Sequence, residues 1–226
     1  RDYLAAFNAD PRFREPLEAL VRLFSRRAST KNLGKLLDAL ARTATTPDEK
    51  ARANWLRGAF LLDHLGDTAA AQQAFEAILE ERPDDPTAWL ELELLAAARG
   101  GVETRAKALE ARSSLAQDPS WRGLLLLDRA RLESDRGNVD AAFELLDAAR
   151  KLPGVARYAA LRATEALGRR VGRHARVADA LEARAELIAD SIADATLGDR
   201  YGVPPSARRP EYVADAWLRA AEARRR

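Results

Sequence analysis

Apolar side chains recur along this chain at helical spacings of three, four and seven residues, interrupted by short polar breaks. The pattern is clearest in residues 52–85, RANWLRGAFLLDHLGDTAAAQQAFEAILEERPDD. Trp55, Ala59 and Leu62 share one helical face, and Ala71, Phe75 and Ile78 share another. Gly66 and Asp67 interrupt the period between them, and Pro83 closes the stretch. Gly66 is expected to supply the positive φ that ends the first helix, and Thr68 to cap the second. Ala59 and Ala71 are small enough to let two helices approach, with Trp55 and Phe75 filling the wider ends. The predicted element is an antiparallel helical hairpin.

Copies of it follow. Trp89 lies 34 residues after Trp55, and Gly100 lies 34 after Gly66, although Arg105 falls where Ala71 stood. A third copy maps Ala59, Gly66, Ala71 and Phe75 onto Ala130, Gly137, Ala142 and Leu146, with Asp118 and Pro119 closing the second copy and residues 151–154 the third. Further hairpins are predicted over 15–27 with 33–41, turning at 30–32, and over 158–168 with 175–191. Residues 195–210 carry Gly198, Gly202, Pro204, Pro205 and Pro210 and read as a long loop, either disordered or merely connecting, or in contact with a partner. The last helix, 211–226, contains DAWLRAAE, which echoes ANWLRGAF and sets Trp217 under Trp55. It reads as a first helix without its partner, and residues 3–8 as the tail of a preceding second helix. The chain is thus expected to be part of a longer array, open to self-association through the terminal helix.

The order of these residues in 52–85 resembles the tetratricopeptide repeat (TPR) family. A large residue early in the first helix, a small one mid-helix, a Gly-Asp turn, then a small residue, an aromatic and a closing Pro recur there in a 34-residue period. Two positions depart from it: Gly58 stands where Leu is usual, and Ile78 replaces the usual Ala. The resemblance implies an all-α, right-handed α-α superhelix, one solenoid over 1–226. Its best repeat is 52–85, with weaker repeats at 11–45, 86–119, 120–154 and 155–194.

Composition narrows the chemistry. The 226 residues contain no Cys, so disulfides, thiol catalysis and Cys-based zinc sites are absent. His64 and His174 lie far apart; His64 with Asp63 and Asp67 is the best candidate metal cluster and reads more simply as a solvated turn. His174 sits among Arg169, Arg170, Arg173 and Arg176, which disfavours a cation. No phosphate-cradling glycine motif follows a strand, Ser113, Ser114 and Ser134 have no nearby base, and Glu91 and Glu93 face different sides of a helix. No catalytic residue, metal or cofactor is therefore expected. Lys and Arg total 37 against 35 Asp and Glu, a net charge of +2 in which Arg dominates. Because acids interleave with bases almost everywhere, nucleic acid is a poor candidate partner. No apolar run is long enough to span a membrane. The Ala- and Arg-rich composition suits a high-GC bacterial source, in cytoplasm or periplasm.

The resemblance further implies that first helices line an inner groove. Next to the core face, the inner stripe is Leu56, Phe60 and His64, then Leu90 and Leu94, then Leu127 and Arg131. Apolar residues replace the Lys and Asn with which some TPR domains grip a carboxylate, so the expected partner is an apolar peptide or amphipathic helix, with His64 and Arg131 at the polar edge. The chain's own superhelix covering this stripe is the competing expectation. The function so predicted is a non-catalytic protein-binding scaffold. The alternatives are an assembly or envelope-biogenesis adaptor acting through its edges and the 195–210 segment, or a regulatory module of a larger protein.

Overall fold

The computed structural model describes residues 2–10, 13–26 and 30–226; the start of the expected repeat 11–45 and the end of the expected helix 15–27 lie outside the described residues. All regular structure among them is helical. The chain divides into two compact units, Arg1–Ala108 and Leu109–Arg226.

The first unit contains α1 (Asp2–Ala9), α2 (Glu15–Arg26), α3 (Thr30–Arg42), α4 (Pro47–Leu65), α5 (Thr68–Glu81) and α6 (Pro86–Arg99). α7 (Val102–Leu115) begins there and continues into the second unit. Residues 30–32, expected in a turn, instead form the first turn of α3. α4 starts at a capping box: the Thr46 hydroxyl accepts from the Glu49 amide, and the Glu49 carboxylate accepts from the amides of Thr46 and Thr45. Arg14, buried just ahead of α2, pairs with Glu49 at 2.7 Å and donates to the Leu40 carbonyl, so one guanidinium ties α2, α3 and α4 together. These hydrogen bonds, the Thr45 amide first, and the Arg14 charge hold the Glu49 carboxyl at about 2, below its usual 4.5.

Gly66 ends α4 with φ 64°, as its position predicts, but the N-cap of α5 is Asp67, whose carboxylate accepts from the Ala70 amide, rather than Thr68. The hairpin α4–α5 closes on Phe75, Ala71 and Ile78, all buried, with Leu61 and Leu62 across from them. Full burial of one such large side chain contributes roughly 1.5–3 kcal/mol. The first-helix face is rotated from the expected one. Trp55 remains 37% exposed and Ala59 is only half-buried, while Ala51, Ala53, Gly58 and Phe60 are buried. The reason is the Phe75 ring: a Cβ at position 58 would lie 2.7 Å from its Cε1 and Cζ, so the residue against it must have none. Gly58, an oddity in the sequence, is the point of closest approach.

The second unit contains α8 (Pro119–Asp135), α9 (Val139–Lys151), α10 (Ala156–Val171), α11 (His174–Ala193), α12 (Ala195–Arg200) and α13 (Pro210–Arg224). Ala130 and Ala142 meet at the α8–α9 crossing, as the repeat predicts, with Phe143, Leu146 and Leu167 around them. α10 packs on α8 and α9 through Leu126, Ala149 and Ala160, and on α11 through Leu161, Leu187 and Ile188. Residues 195–210 are not a loop. They fold into α12 and a 3-10 turn at Pro205–Ala207, and Val203 is buried against Leu161 and Ile188. Arg208 fastens this strap: Nε and Nη2 donate to the Val203 carbonyl at 3.1 and 2.7 Å, Nη1 donates to the Ala195 carbonyl, and Nη2 pairs with Asp199. The terminal helix is likewise not unpaired. Ala216, Ala220 and Ala223 of α13 pack on Val177, Ala178, Leu181 and Ala185 of α11.

Candidate functional site

In the first unit, α4 and α6 each carry part of the expected stripe. Phe60 is only 6% exposed, enclosed by Val21, Leu33 and Leu37 of the preceding pair, with Leu56 half-buried beside it. Both side chains are occupied in holding α4 on α2 and α3. His64 is exposed, its ring centroid 5.4 Å from that of Phe60. On α6, Leu90 is half-buried and Leu94 is 55% exposed. Glu91 stands next to Leu90, and burial first, then the Asp63 charge, raises its carboxyl pKa. This face is a mixed apolar and acidic surface.

In the second unit, a cleft of about 600 Å³ opens between α8 and α10 over the α9 residue Leu146. Leu127 and Leu167 form its apolar sides. Ala159, Ala163 and Ala166, spaced four and three residues apart on α10, leave the space that larger side chains would fill. Arg131, expected at a polar edge, lines this cleft and is exposed, as is Asp128. At one end Arg170 of α10 donates to the Ser134 hydroxyl of α8, bridging the two helices across the opening. The alanine row is the feature sequence reasoning missed; the signal was present in ARYAALRATEALG, where small residues repeat on one face of α10.

Among the described residues, no group of three or more His, Cys, Asp or Glu is gathered as metal ligands, and no helix is long and apolar enough to cross a membrane. The arrangement offers apolar contact with a charged rim, the chemistry of noncovalent recognition.

The hairpins share a turn device. Gly66, Gly100, Gly137 and Gly172 all take positive φ at the ends of α4, α6, α8 and α10. Asp85 and Asp118 cap the next first helices ahead of Pro86 and Pro119. The fold is a succession of antiparallel helical hairpins with glycine turns. No protein-family profile and no curated protein sequence matches the chain. Solved structures do. A MamA RS-1 ArsTM double mutant is 13% identical, with 92% of this chain and 93% of that chain covered at TM-score 0.45. A tetratricopeptide repeat protein from Parabacteroides merdae is 17% identical, with 97% and 75% covered at 0.41. Kinesin light chain TPR-like repeats from Podosopora anserina are 14% identical, with 95% and 96% covered at 0.43.

Proposed function

We propose that this TPR-like chain is a non-catalytic scaffold that binds a partner protein, and that the α8–α10 cleft receives an apolar segment of that partner. The observation that carries the reading is the cleft itself: about 600 Å³, floored by Leu146 and sided by Leu127 and Leu167, kept open by three alanines on α10. An apolar side chain seated there would contribute roughly 1.5–3 kcal/mol before ordering costs. Arg131 and Asp128 at the rim would orient the segment, and Leu94 with His64 offers a separate contact on the first unit.

The test uses exposed cleft positions whose replacement leaves the core untouched. A photo-crosslinking side chain at Ala159 is expected to give a discrete adduct with a partner peptide. Ala159→Glu with Ala166→Glu is expected to abolish partner capture without changing the circular-dichroism melt. Capture that survives both charges would remove the cleft as the binding surface.

A second reading, self-association through α13, is favoured by Trp217 and Leu218, 44% and 64% exposed on a helix whose alanine face is already packed. Leu218→Glu would lower the sedimentation coefficient if it holds.

A further inference from the structure

The next step along the same unit has different chemistry. Between α10 and α13, over α11, two cavities of about 330 and 350 Å³ adjoin at Arg219, which lines both; together they are called the furrow. Its walls are rows on α10 and α13, joined at the smaller cavity by Pro204, Ser206 and Ala207 of the strap. On α10 the residues are Tyr158, Arg162 and Arg169; on α13 they are Tyr212, Asp215, Arg219 and Glu222, spaced three, four and three residues apart, with Arg226 two residues past the helix end. Arg184 and His174 of α11 contribute from the floor. A Tyr pair thus stands at one end, and arginines from both walls fill the rest.

Two acids line the furrow, Asp215 and Glu222, and a third, Glu165, lies behind its arginines. Glu165, buried, is held between Arg169 at 2.7 Å and Arg184. Asp215 pairs with Arg219 at 2.9 Å, and Glu222 lies on the same wall. Five arginines and a histidine therefore meet three carboxylates, and among the described residues Arg162 and Arg226, both exposed, form no ion pair. In a chain of net charge +2 this local excess of positive charge stands out from the balanced surface. The α8–α10 cleft beside it is apolar and lined by small residues, so α10 separates an apolar step from a basic one.

We propose that the α10–α13 furrow binds an acidic protein segment: Asp and Glu side chains on a helix or extended peptide, seated on Arg162, Arg219 and Arg226, with Tyr158 and Tyr212 packing on its apolar stems. Charge complementarity selects this occupant. Separate carboxylates fit discrete arginines divided by Asp215 and Glu222, whereas an unbroken row of phosphates would be driven onto those two acids. The inference rests on the scaffold reading above and names the chemistry of the partner's second contact.

The probe is a short fluorescein-labelled peptide of Glu, Ala and Leu, followed by anisotropy on the full chain. Saturable binding is expected, weakened at least about tenfold by Arg162→Glu with Arg226→Glu, and largely kept by the corresponding Lys variants. It is also expected to vanish at about 1 M salt, where the screening length is about 3 Å. A peptide with Lys in place of Glu is expected not to bind. Equal binding of both peptides, indifference to the Arg→Glu pair, or tighter binding of a labelled oligothymidylate would overturn the proposal. Ala159→Glu with Ala166→Glu keeps the two readings apart. If that pair blocks partner capture while the Glu peptide fails to bind, the furrow falls and the cleft stands. Peptide binding that responds only to the arginines, with capture unaffected by the cleft charges, upholds the furrow and removes the cleft.

Discussion

A Cβ added at position 58 would meet two Phe75 ring atoms at 2.7 Å, and because that ring is fully buried it has nowhere to retreat. Gly58→Ala is therefore expected to destabilise the first unit by about 1–3 kcal/mol, the usual cost of overpacking. Gly58→Ala combined with Phe75→Leu should lose less than the sum of the two single changes. Urea denaturation of the four-variant cycle, read by circular dichroism, measures that coupling. Glu49 supplies a second prediction at this scale. Its folded pKa of about 2 lies below the 4.5 of the unfolded group, so its contribution is fully present above 4.5 and is lost as pH falls toward 2. In a series of melts across that window, Glu49→Gln should flatten the decline relative to the parent protein. A variant that declines as steeply as the parent would show that the capping box and Arg14 contribute nothing through this carboxylate.

At the scale of elements, the strap after α11 shows where periodicity misleads. Gly198, Gly202 and three prolines within 195–210 look like loop punctuation because pattern reasoning weighs each residue against local propensity. The structure gives two of them tertiary roles. A Cβ at 198 would lie 2.6 Å from Nε of Arg208, so Gly198 makes room for the guanidinium that closes the strap, and Gly202, at φ 71°, passes close under the Val155 carbonyl. Arg208→Ala removes donors from the Val203 and Ala195 carbonyls and should speed amide exchange across α12 and the 3-10 turn. Exchange in α4 and α5 should stay unchanged, and hydrogen-exchange mass spectrometry reads both. The hairpins themselves were legible, because Gly66, Gly100 and Gly137 mark their turns in the sequence as plainly as in the backbone. The burial face of α4 was not, since it depends on which residue opposes Phe75, and a one-dimensional pattern does not reveal that.

For the whole molecule, the sequence yielded the class of object and a general expectation of protein binding, but not the location of the openings. Analogy of register places Leu56 and Phe60 on the inner stripe without telling whether it is open or covered, and the pair α2–α3 encloses Phe60. Arg131 does line an opening, one whose width comes from alanines on the next first helix. Such spaces arise between repeats and leave only a faint trace within any one of them. Charge behaves similarly: a sum of +2 conceals arginines paired with acids over most of the surface and an excess in the α10–α13 furrow. Exposed ion pairs such as Arg57–Asp38 contribute about 0–1 kcal/mol each, so raising salt to about 1 M should barely move the melting temperature. Parallel melts at low and high salt check this. A large loss would mean that the surface pairs hold the fold.

The indoles have a practical consequence of their own. Trp55, Trp121 and Trp217 are exposed, and Trp89 is half-buried with its Nε1 donating to the Pro83 carbonyl. No tryptophan is sealed in the interior, so intrinsic emission already comes from hydrated chromophores in the native state. Heating would change its wavelength little, and a fluorescence melt would understate unfolding. The same light is well placed to register docking, because a protein settling over Trp121 or Trp217 would strip water from a ring and shift its emission toward the blue.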